Sequence, residues 1–318
     1  MNIDKIIQGK KVIGIAGHIN PDGDCIGACM GLYNYIVDNF KESEVHVYLE
    51  PIPNIFKFMK HSQIIESEMT ENHHHDLFIA LDCGDTGRLG KFSEYFIDAK
   101  ETFCVDHHET NKGFADNNYI FPKASSACEL MCELVEDEKM TKTIAECFYT
   151  GIVHDTAVFQ YSCTSSKTMN IAGKLMDKGI DYSKIIDDTF YTKTYHQNQV
   201  MGEALVRSKL YLDGKCVASY IDEEAMEKYH VLPKHLDGIV NQLRVTKDVK
   251  IAIFLYELTK GEFKVSLRSN CDINVAKIAV KFGGGGHDKA AGFSAFDEPN
   301  EIINRVVCEI ANYVNNDK

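Results

Sequence analysis

The chain has 318 residues and a formal net charge of −13, and 44% of its residues are hydrophobic. A chain of this length has room for about two domains of roughly 150 residues each, and its composition excludes wholesale disorder. The acidic balance argues against a protein that wraps long duplex nucleic acid or lies on an anionic membrane, and no apolar run approaches the length of a membrane span.

The cysteine pattern bears on the cellular compartment. Eleven cysteines occur, but no C-x-x-C pair, so we expect buried, reduced thiols rather than zinc ligands. The amino-terminal residues lack the basic and apolar segments of a signal peptide. The sequence therefore predicts a cytoplasmic protein.

The first part of the chain alternates short apolar runs with stretches of helical periodicity. This alternation predicts an α/β fold, a doubly wound and mainly parallel sheet with helices on both faces. Ser126 and Glu129 predict a capping box at one helix start. The predicted strands cover residues 11–16, 45–49, 77–81 and 102–105. One predicted helix begins near Cys25, and three others cover residues 126–135, 143–153 and 166–178.

The pattern changes after about residue 187. We expect a first domain over residues 1–187, a helical linker over 188–210, and a smaller α+β domain over 211–318. Within the smaller domain, strands are predicted at 217–221, 249–256 and 263–267, and a final helix at 301–314.

Acidic and histidine side chains occur where the predicted strands of the first domain end. The carboxyl ends of strands in a doubly wound sheet line one crevice, so these side chains are expected to meet. Taken singly, Asp22 and Asp24 also suit a helix N-cap, and a lone histidine is more often packed than ligating. The candidates are His18, Asp22, Asp24, Asp82, Asp106, His107, His108 and Asp155.

So many carboxylates in one crevice repel one another unless a cation compensates them. A mixture of imidazole and carboxylate without thiolate suits Mn²⁺, Mg²⁺ or a zinc-like ion. Two such ions bridged by one carboxylate activate water for attack on phosphorus. The pattern therefore predicts two divalent cations, with Mn²⁺ favoured and Mg²⁺ as the alternative.

A glycine run in the second domain suggests an anion site. Gly283, Gly284, Gly285 and Gly286 precede His287, and Arg268 lies at the end of the predicted strand before them. Consecutive glycines form either a backbone N–H nest for an anion or a flexible hairpin turn, and the neighbouring cationic groups favour the nest. Arg268 can bind a phosphate through two parallel hydrogen bonds.

Three of these segments together resemble the DHH phosphoesterase superfamily, and most strongly its nano-RNase/pAp phosphatase branch with a DHH-associated carboxy-terminal domain. They are Asp106-His107-His108, the segment from His18 to Asp24, and the glycine run with His287. The resemblance covers nearly the whole chain. It identifies residues 1–187 as the DHH domain and 211–318 as the DHH-associated domain.

The resemblance also implies roles for single residues. His18 and Asp22 would hold one metal ion, and Asp24, His107 and Asp155 the other, with Asp82 bridging the two. His108 would face the scissile phosphate, and Asp106 would either orient a histidine or simply end a strand. Arg268, Gly284, Gly285, Gly286 and His287 would bind substrate.

Three small departures from the family pattern leave these residues intact. Ala28 stands where the family often has serine, and Ala157 where it often has glycine. His154 is unusual beside Asp155, and in an extended segment it would point away from the site.

The activity implied by the resemblance is hydrolysis of short oligonucleotides to mononucleotides, and of pAp to AMP, at a cleft between the domains. A linear or cyclic dinucleotide phosphodiesterase is the alternative within the superfamily. A nucleotide-binding sensor without catalysis is the alternative outside the enzymes. The expected partners are short oligonucleotides or small nucleotides, with neither a membrane nor long duplex nucleic acid; whether the protein is a homodimer stays open.

Overall fold

The computed structural model describes residues 1–70 and 74–314. The chain divides into two compact units, Met1–Thr192 and Lys193–Lys318. Each has its own sheet and its own buried apolar clusters.

The first unit is built on a parallel sheet of five strands in the order β2-β1-β3-β4-β5. The three central strands are buried on both faces, which explains their continuous apolar sequences. Chain order reverses between β1 and β3, and ligand sites in open parallel sheets lie at such a switch point. The strands are β1 (Val12–Ala16), β2 (Glu44–Tyr48), β3 (Leu77–Leu81), β4 (Thr102–Asp106) and β5 (Asn117–Ile120).

Helices cover both faces of this sheet. They are α1 (Ile3–Ile7), α2 (Gly23–Asn39), α3 (Ser93–Asp98), α4 (Ala127–Leu134), α5 (Lys142–Asp155), α6 (Ser166–Asp177) and α7 (Tyr182–Ile186). Two glycines let α2 approach α5 closely. A Cβ atom on Gly27 would lie 2.5 Å from the Cys147 carbonyl oxygen, and one on Gly31 would lie 2.2 Å from the Phe148 ring.

The second unit has a six-stranded sheet in the order β10-β11-β9-β8-β7-β6. β7 and β8 are parallel, and the other pairs are antiparallel. The strands are β6 (Lys209–Tyr211), β7 (Cys216–Ile221), β8 (Ile251–Thr259), β9 (Glu262–Ser269), β10 (Gly285–His287) and β11 (Ala290–Phe296). The helices are α8 (Tyr195–Arg207), α9 (Glu223–Lys228), α10 (Ile239–Arg244), α11 (Val275–Lys281) and α12 (Pro299–Val314).

The predicted fold class, a doubly wound α/β domain with a smaller α+β domain, is confirmed. The predicted strands and helices are present with ends shifted by a few residues. β5 was not predicted, because its sequence Asn-Asn-Tyr-Ile belongs to a partly exposed edge strand. None of the helices in residues 1–70 and 74–314 is long and apolar enough to cross a membrane.

The predicted capping box is only half formed. Ser126 accepts a hydrogen bond from the Glu129 N–H at the start of α4. The buried Glu129 carboxylate instead accepts hydrogen bonds from the hydroxyls of Ser125 and Thr168, at 2.6 and 2.7 Å. Glu129 therefore ties α4 to α6 rather than closing the helix start on itself.

Candidate metal centre

The predicted metal-ligating side chains meet at the carboxyl edge of the parallel sheet. His18 lies in the loop after β1, Asp82 directly follows β3, and His107 directly follows β4. Asp155 is the last residue of α5 rather than part of an extended segment. The meeting point includes the β1/β3 switch point, where this topology leaves a crevice.

A first group of ligand atoms comes from His18, Asp22 and Asp82. His18 Nε2 lies 3.6 Å from Asp22 Oδ1 and 3.4 Å from Asp82 Oδ2. The Nδ1 atom of His18 lies 2.9 Å from the Ile19 carbonyl oxygen, which favours a proton on Nδ1 and leaves Nε2 as the ligand atom. Asp22 also caps α2, accepting hydrogen bonds from the N–H groups of Asp24 and Cys25, so its capping and ligating interpretations are compatible.

A second group comes from Asp24, His107 and Asp155. His107 Nε2 lies 3.1 Å from Asp155 Oδ2 and 3.9 Å from Asp24 Oδ2. It also lies 3.3 Å from Asp82 Oδ1. Asp82 therefore presents one carboxylate oxygen to each group, the arrangement that a bridging ligand requires.

The burial, hydrogen bonding and backbone conformation of Asp82 are those expected of a carboxylate that binds a cation. Its side chain is 3% exposed, and among the described residues no hydrogen-bond donor satisfies its Oδ1 atom. Its backbone has φ 53°, a left-handed conformation that costs a non-glycine residue of the order of 1 kcal/mol. A buried carboxylate oxygen without a hydrogen bond is costly unless something else binds it, and an oxygen-seeking cation does so.

The pKa shifts of the neighbouring side chains also indicate a cation site. Burial, together with the neighbouring Asp82 and Asp155 carboxylates, raises the pKa of Asp24 well above its usual value. Burial lowers the pKa of His18 and of His107, but the neighbouring carboxylates outweigh this and raise each pKa to about 12. Without metal, the crevice therefore compensates its carboxylates with protons, which a divalent cation would replace.

Asp24 is held by a helix start that the sequence patterns did not reveal. Its two carboxylate oxygens accept hydrogen bonds from the N–H groups of Ala127 and Cys128, at 2.6 and 2.9 Å. These are the first residues of α4, so the positive end of that helix orients a fully buried carboxylate. A contact across more than one hundred residues leaves no local signal in the sequence.

His108 stands beside the two groups in a different environment. Its Nδ1 atom lies 2.7 Å from Asp106 Oδ1 and 3.6 Å from Asp82 Oδ1. Asn111, which the sequence reading missed, donates a hydrogen bond of 2.7 Å to the other oxygen of Asp106. The hydrogen bond to Asp106, partly offset by burial, raises the pKa of His108 above its usual value.

His154 points away from the crevice, for a reason other than the expected one. The residue lies in α5, so its side chain is rotated by about 100° from that of Asp155. Its Nε2 atom lies 2.9 Å from Thr189 Oγ1, and its ring contacts Phe56 and Phe190.

The glycine run of the second unit differs from the predicted nest. Gly283 has φ +79° and ends α11, and the N–H groups of Gly283 and Gly284 donate to the carbonyls of Val280 and Ala279. This is a Schellman helix end, so neither N–H group is available to an anion. Gly285, Gly286 and His287 form β10.

Arg268 and His287 share one face of the second sheet. The register aligns His287 with Ala290, and Ala290 with Arg268, and directly paired residues project from the same face. Arg268 is half-buried, and its Nε atom donates to Asn241 Oδ1 at 3.2 Å. On this face the small Ala290 side chain lies between the Arg268 guanidinium group and the His287 imidazole.

Comparisons with known proteins match each unit to a known domain family. The DHH family N-terminal domain matches residues 12–152, and the DHHA1 domain matches residues 213–315. Proteins named "Bifunctional oligoribonuclease and PAP phosphatase NrnA" are similar over 91% of this chain: that of Thermus thermophilus is 27% identical over 85% of its own length, and that of Mycoplasma genitalium 29% over 90%. An exopolyphosphatase-related protein from Bacteroides fragilis superposes with a TM-score of 0.89 at 26% identity, covering 98% of this chain and 96% of its own. The chain belongs to the DHH family of phosphoesterases and carries a DHHA1 domain after its DHH domain.

Proposed function

We propose that this protein is a metal-dependent hydrolase that cleaves short oligonucleotides to mononucleotides and pAp to AMP and phosphate. The observation that carries the proposal is the buried Asp82 carboxylate, whose two oxygens face His18 on one side and His107 on the other. The choice of substrates is supported by the names of the relatives, which are similar over most of the chain.

Two divalent cations would be held here, with Asp82 shared between them. His18 and Asp22 complete one ligand set, and Asp24, His107 and Asp155 complete the other. The sets contain imidazole nitrogen and carboxylate oxygen without thiolate, which favours Mn²⁺ and also suits Mg²⁺. When bound, such ions supply an activated water and neutralise charge on the phosphate.

His108 is proposed to donate a proton to the leaving oxygen. Its Nδ1 atom is engaged by Asp106 at 2.7 Å, which leaves Nε2 to act on the substrate. The raised pKa of His108 keeps more of the imidazolium form at neutral pH, as a general acid requires. Asp106 and Asn111 would fix the orientation of the ring.

The DHHA1 domain is proposed to bind a substrate phosphate away from the reacting centre. Arg268 and His287 supply the side-chain donors on one face of its sheet. Gly285 and Gly286 belong to the edge strand β10. A Cβ atom on Gly285 would have no neighbour within 4 Å, so a ligand can approach the backbone there, whereas a Cβ atom on Gly286 would lie 2.6 Å from the Ala290 carbonyl oxygen. Gly284 has another role, because a Cβ atom there would lie 2.2 Å from the Gly292 carbonyl oxygen.

A cytoplasmic location is part of the proposal. All eleven cysteines are free thiols in the structure, which suits a reducing compartment. The net charge of −13 suits small nucleotides held locally rather than long duplexes held along a surface.

The test is a substrate panel with Mn²⁺ present: pAp, a dinucleotide, a 5-mer, a 20-mer and a cyclic dinucleotide. We expect turnover of pAp, the dinucleotide and the 5-mer, a much lower rate with the 20-mer, and no product after chelation with EDTA. Exclusive cleavage of the cyclic dinucleotide would replace the proposal with the phosphodiesterase alternative. Binding of nucleotides without any product would replace it with the sensor.

A further inference from the structure

The loop between β1 and α2 carries two of the candidate ligands, His18 and Asp22. Asn20, midway between them, has φ 54°. Asparagine tolerates this left-handed conformation better than most residues, but it still needs support from its surroundings.

Two consecutive N–H groups of the loop are held from opposite sides. Ile19 donates to the Arg88 carbonyl oxygen at 2.8 Å, and Asn20 donates to Glu50 Oε2 at 2.6 Å. Arg88 lies in the segment after β3, and Glu50 in the segment after β2. These are the two strands that flank β1 in the sheet, so each neighbouring strand supplies one support.

The base of Glu50 is rigid. Leu49, the preceding residue, is 1% exposed and donates its N–H to the Glu66 carbonyl oxygen at 3.3 Å. Glu50 itself is half-buried and lines a cavity of about 710 Å³ together with Ile19, Asn20 and Pro21. A carboxylate on such a base can fix a backbone N–H through a charge-assisted hydrogen bond.

We propose that Glu50 is a positioning residue of the metal centre, which holds His18 and Asp22 at ligating distance from Asp82 by fixing the Asn20 N–H. This inference rests on the metal centre of the proposed function. Glu50 contributes no ligand, and its effect is confined to the His18–Asp22–Asp82 set, because Asp24 and Asp155 lie within α2 and α5 and His107 directly follows β4.

The test uses Mn²⁺ titration of the metal-free full chain by calorimetry, for wild type and for Glu50→Ala, Glu50→Gln and Glu68→Ala. Glutamine keeps an oxygen acceptor for the Asn20 N–H. Glu68 is the matched control, because it lines the same cavity and is exposed, but pairs with Lys91 instead of the loop. We expect Glu50→Ala to weaken one of two binding steps about tenfold or more, Glu50→Gln by less than about threefold, and Glu68→Ala not at all.

Hydrogen–deuterium exchange of the metal-free proteins adds a second readout that does not depend on metal. Residues 17–22 should exchange faster in Glu50→Ala than in wild type, while the rest of the chain is unchanged. Equal Mn²⁺ affinity and equal exchange in all variants would overturn the inference, as would a lowered melting temperature as the sole effect. Failure of the proposed function would be distinct, because it would appear as wild-type protein that binds Mn²⁺ but releases no product.

Discussion

His108 and Asp106 form a hydrogen-bonded pair, with Nδ1 2.7 Å from Oδ1. The pair gives His108 an environment unlike that of His107, whose Nε2 lies among the carboxylates of Asp24, Asp82 and Asp155. We therefore propose different roles for the two adjacent histidines, ligation for His107 and proton transfer for His108.

Substitution of His108 by alanine should lower kcat and leave metal content intact. Loss of a general acid–base group costs about 10²–10⁴-fold in rate, and pAp turnover at saturating Mn²⁺ measures it. Metal content by mass spectrometry is the second readout. A loss of bound metal in His108→Ala would make His108 a ligand, which its place near Asp82 and His107 also permits.

Substitution of Asp82 by asparagine should abolish turnover and lower the number of bound ions from two toward one or zero. The change removes the charge that faces both ligand sets, while side-chain size is almost unchanged. The control is Asp98→Asn, an exposed position in α3 that should behave as wild type. Near-normal turnover of Asp82→Asn with two ions bound would show that Asp82 is not a bridge.

Arg268→Ala should lower kcat/KM for pAp and dinucleotides about tenfold or more, since a hydrogen bond to a charged group is worth roughly 1.5–3 kcal/mol. Hydrolysis of bis-p-nitrophenyl phosphate, which needs the metal centre alone, should change much less. Arg305→Ala is the control, because Arg305 pairs with Asp297 on the surface. Equal losses on both substrates would mean that Arg268 supports the fold or the reacting centre.

Ala157→Gly should leave stability unchanged or increase it by up to about 1.5 kcal/mol. Ala157 has φ 47°, which strains an alanine by about 1–2 kcal/mol, against a backbone entropy cost for glycine of about 0.5–1 kcal/mol. Ala276→Gly, within α11, is the control and should destabilise by about 1 kcal/mol. Urea unfolding measures both, and a destabilisation of Ala157→Gly as large as that of Ala276→Gly would refute the strain argument.

Asp76 should make stability depend on pH in acid. The Lys100 ammonium group and the backbone N–H groups of Lys11 and Val12 lower its pKa to about 2. Because the folded-state pKa lies below the unfolded value of about 3.9, the stabilisation is present above pH 4 and is lost as the pH falls toward 2. The difference in unfolding free energy between wild type and Asp76→Asn should therefore shrink over this range. A constant difference would contradict the assignment.

The sequence was sufficient for the fold class, because its strands and helices carry strong local patterns. The buried strands β1, β3 and β4 are continuous apolar runs, and α2 and α6 have helical periodicity. β5 was not predicted, because an edge strand buries few side chains and therefore needs no continuous apolar run. Local patterns also misassigned the residues around Asp155 as extended, although the preceding helical periodicity simply continues through them.

The candidate site was less accessible to sequence reasoning than the fold. The strand-end residues could be nominated because parallel strands end at one edge. The groups that hold them could not, since Asp24 depends on α4 and Asn20 on Glu50, contacts that span 103 and 30 residues. In the glycine run a sequence signal was present, but the local structure differs from the one it suggested. Four glycines suggested an anion nest, but Gly283 and Gly284 end a helix.

The most direct test of the metal centre is anomalous diffraction from crystals grown with Mn²⁺, with data collected on both sides of the manganese absorption edge. Two peaks are predicted, one among His18, Asp22 and Asp82, and the other among Asp24, His107, Asp155 and Asp82. A single peak, or peaks whose ligands do not include Asp82, would contradict the two-ion centre.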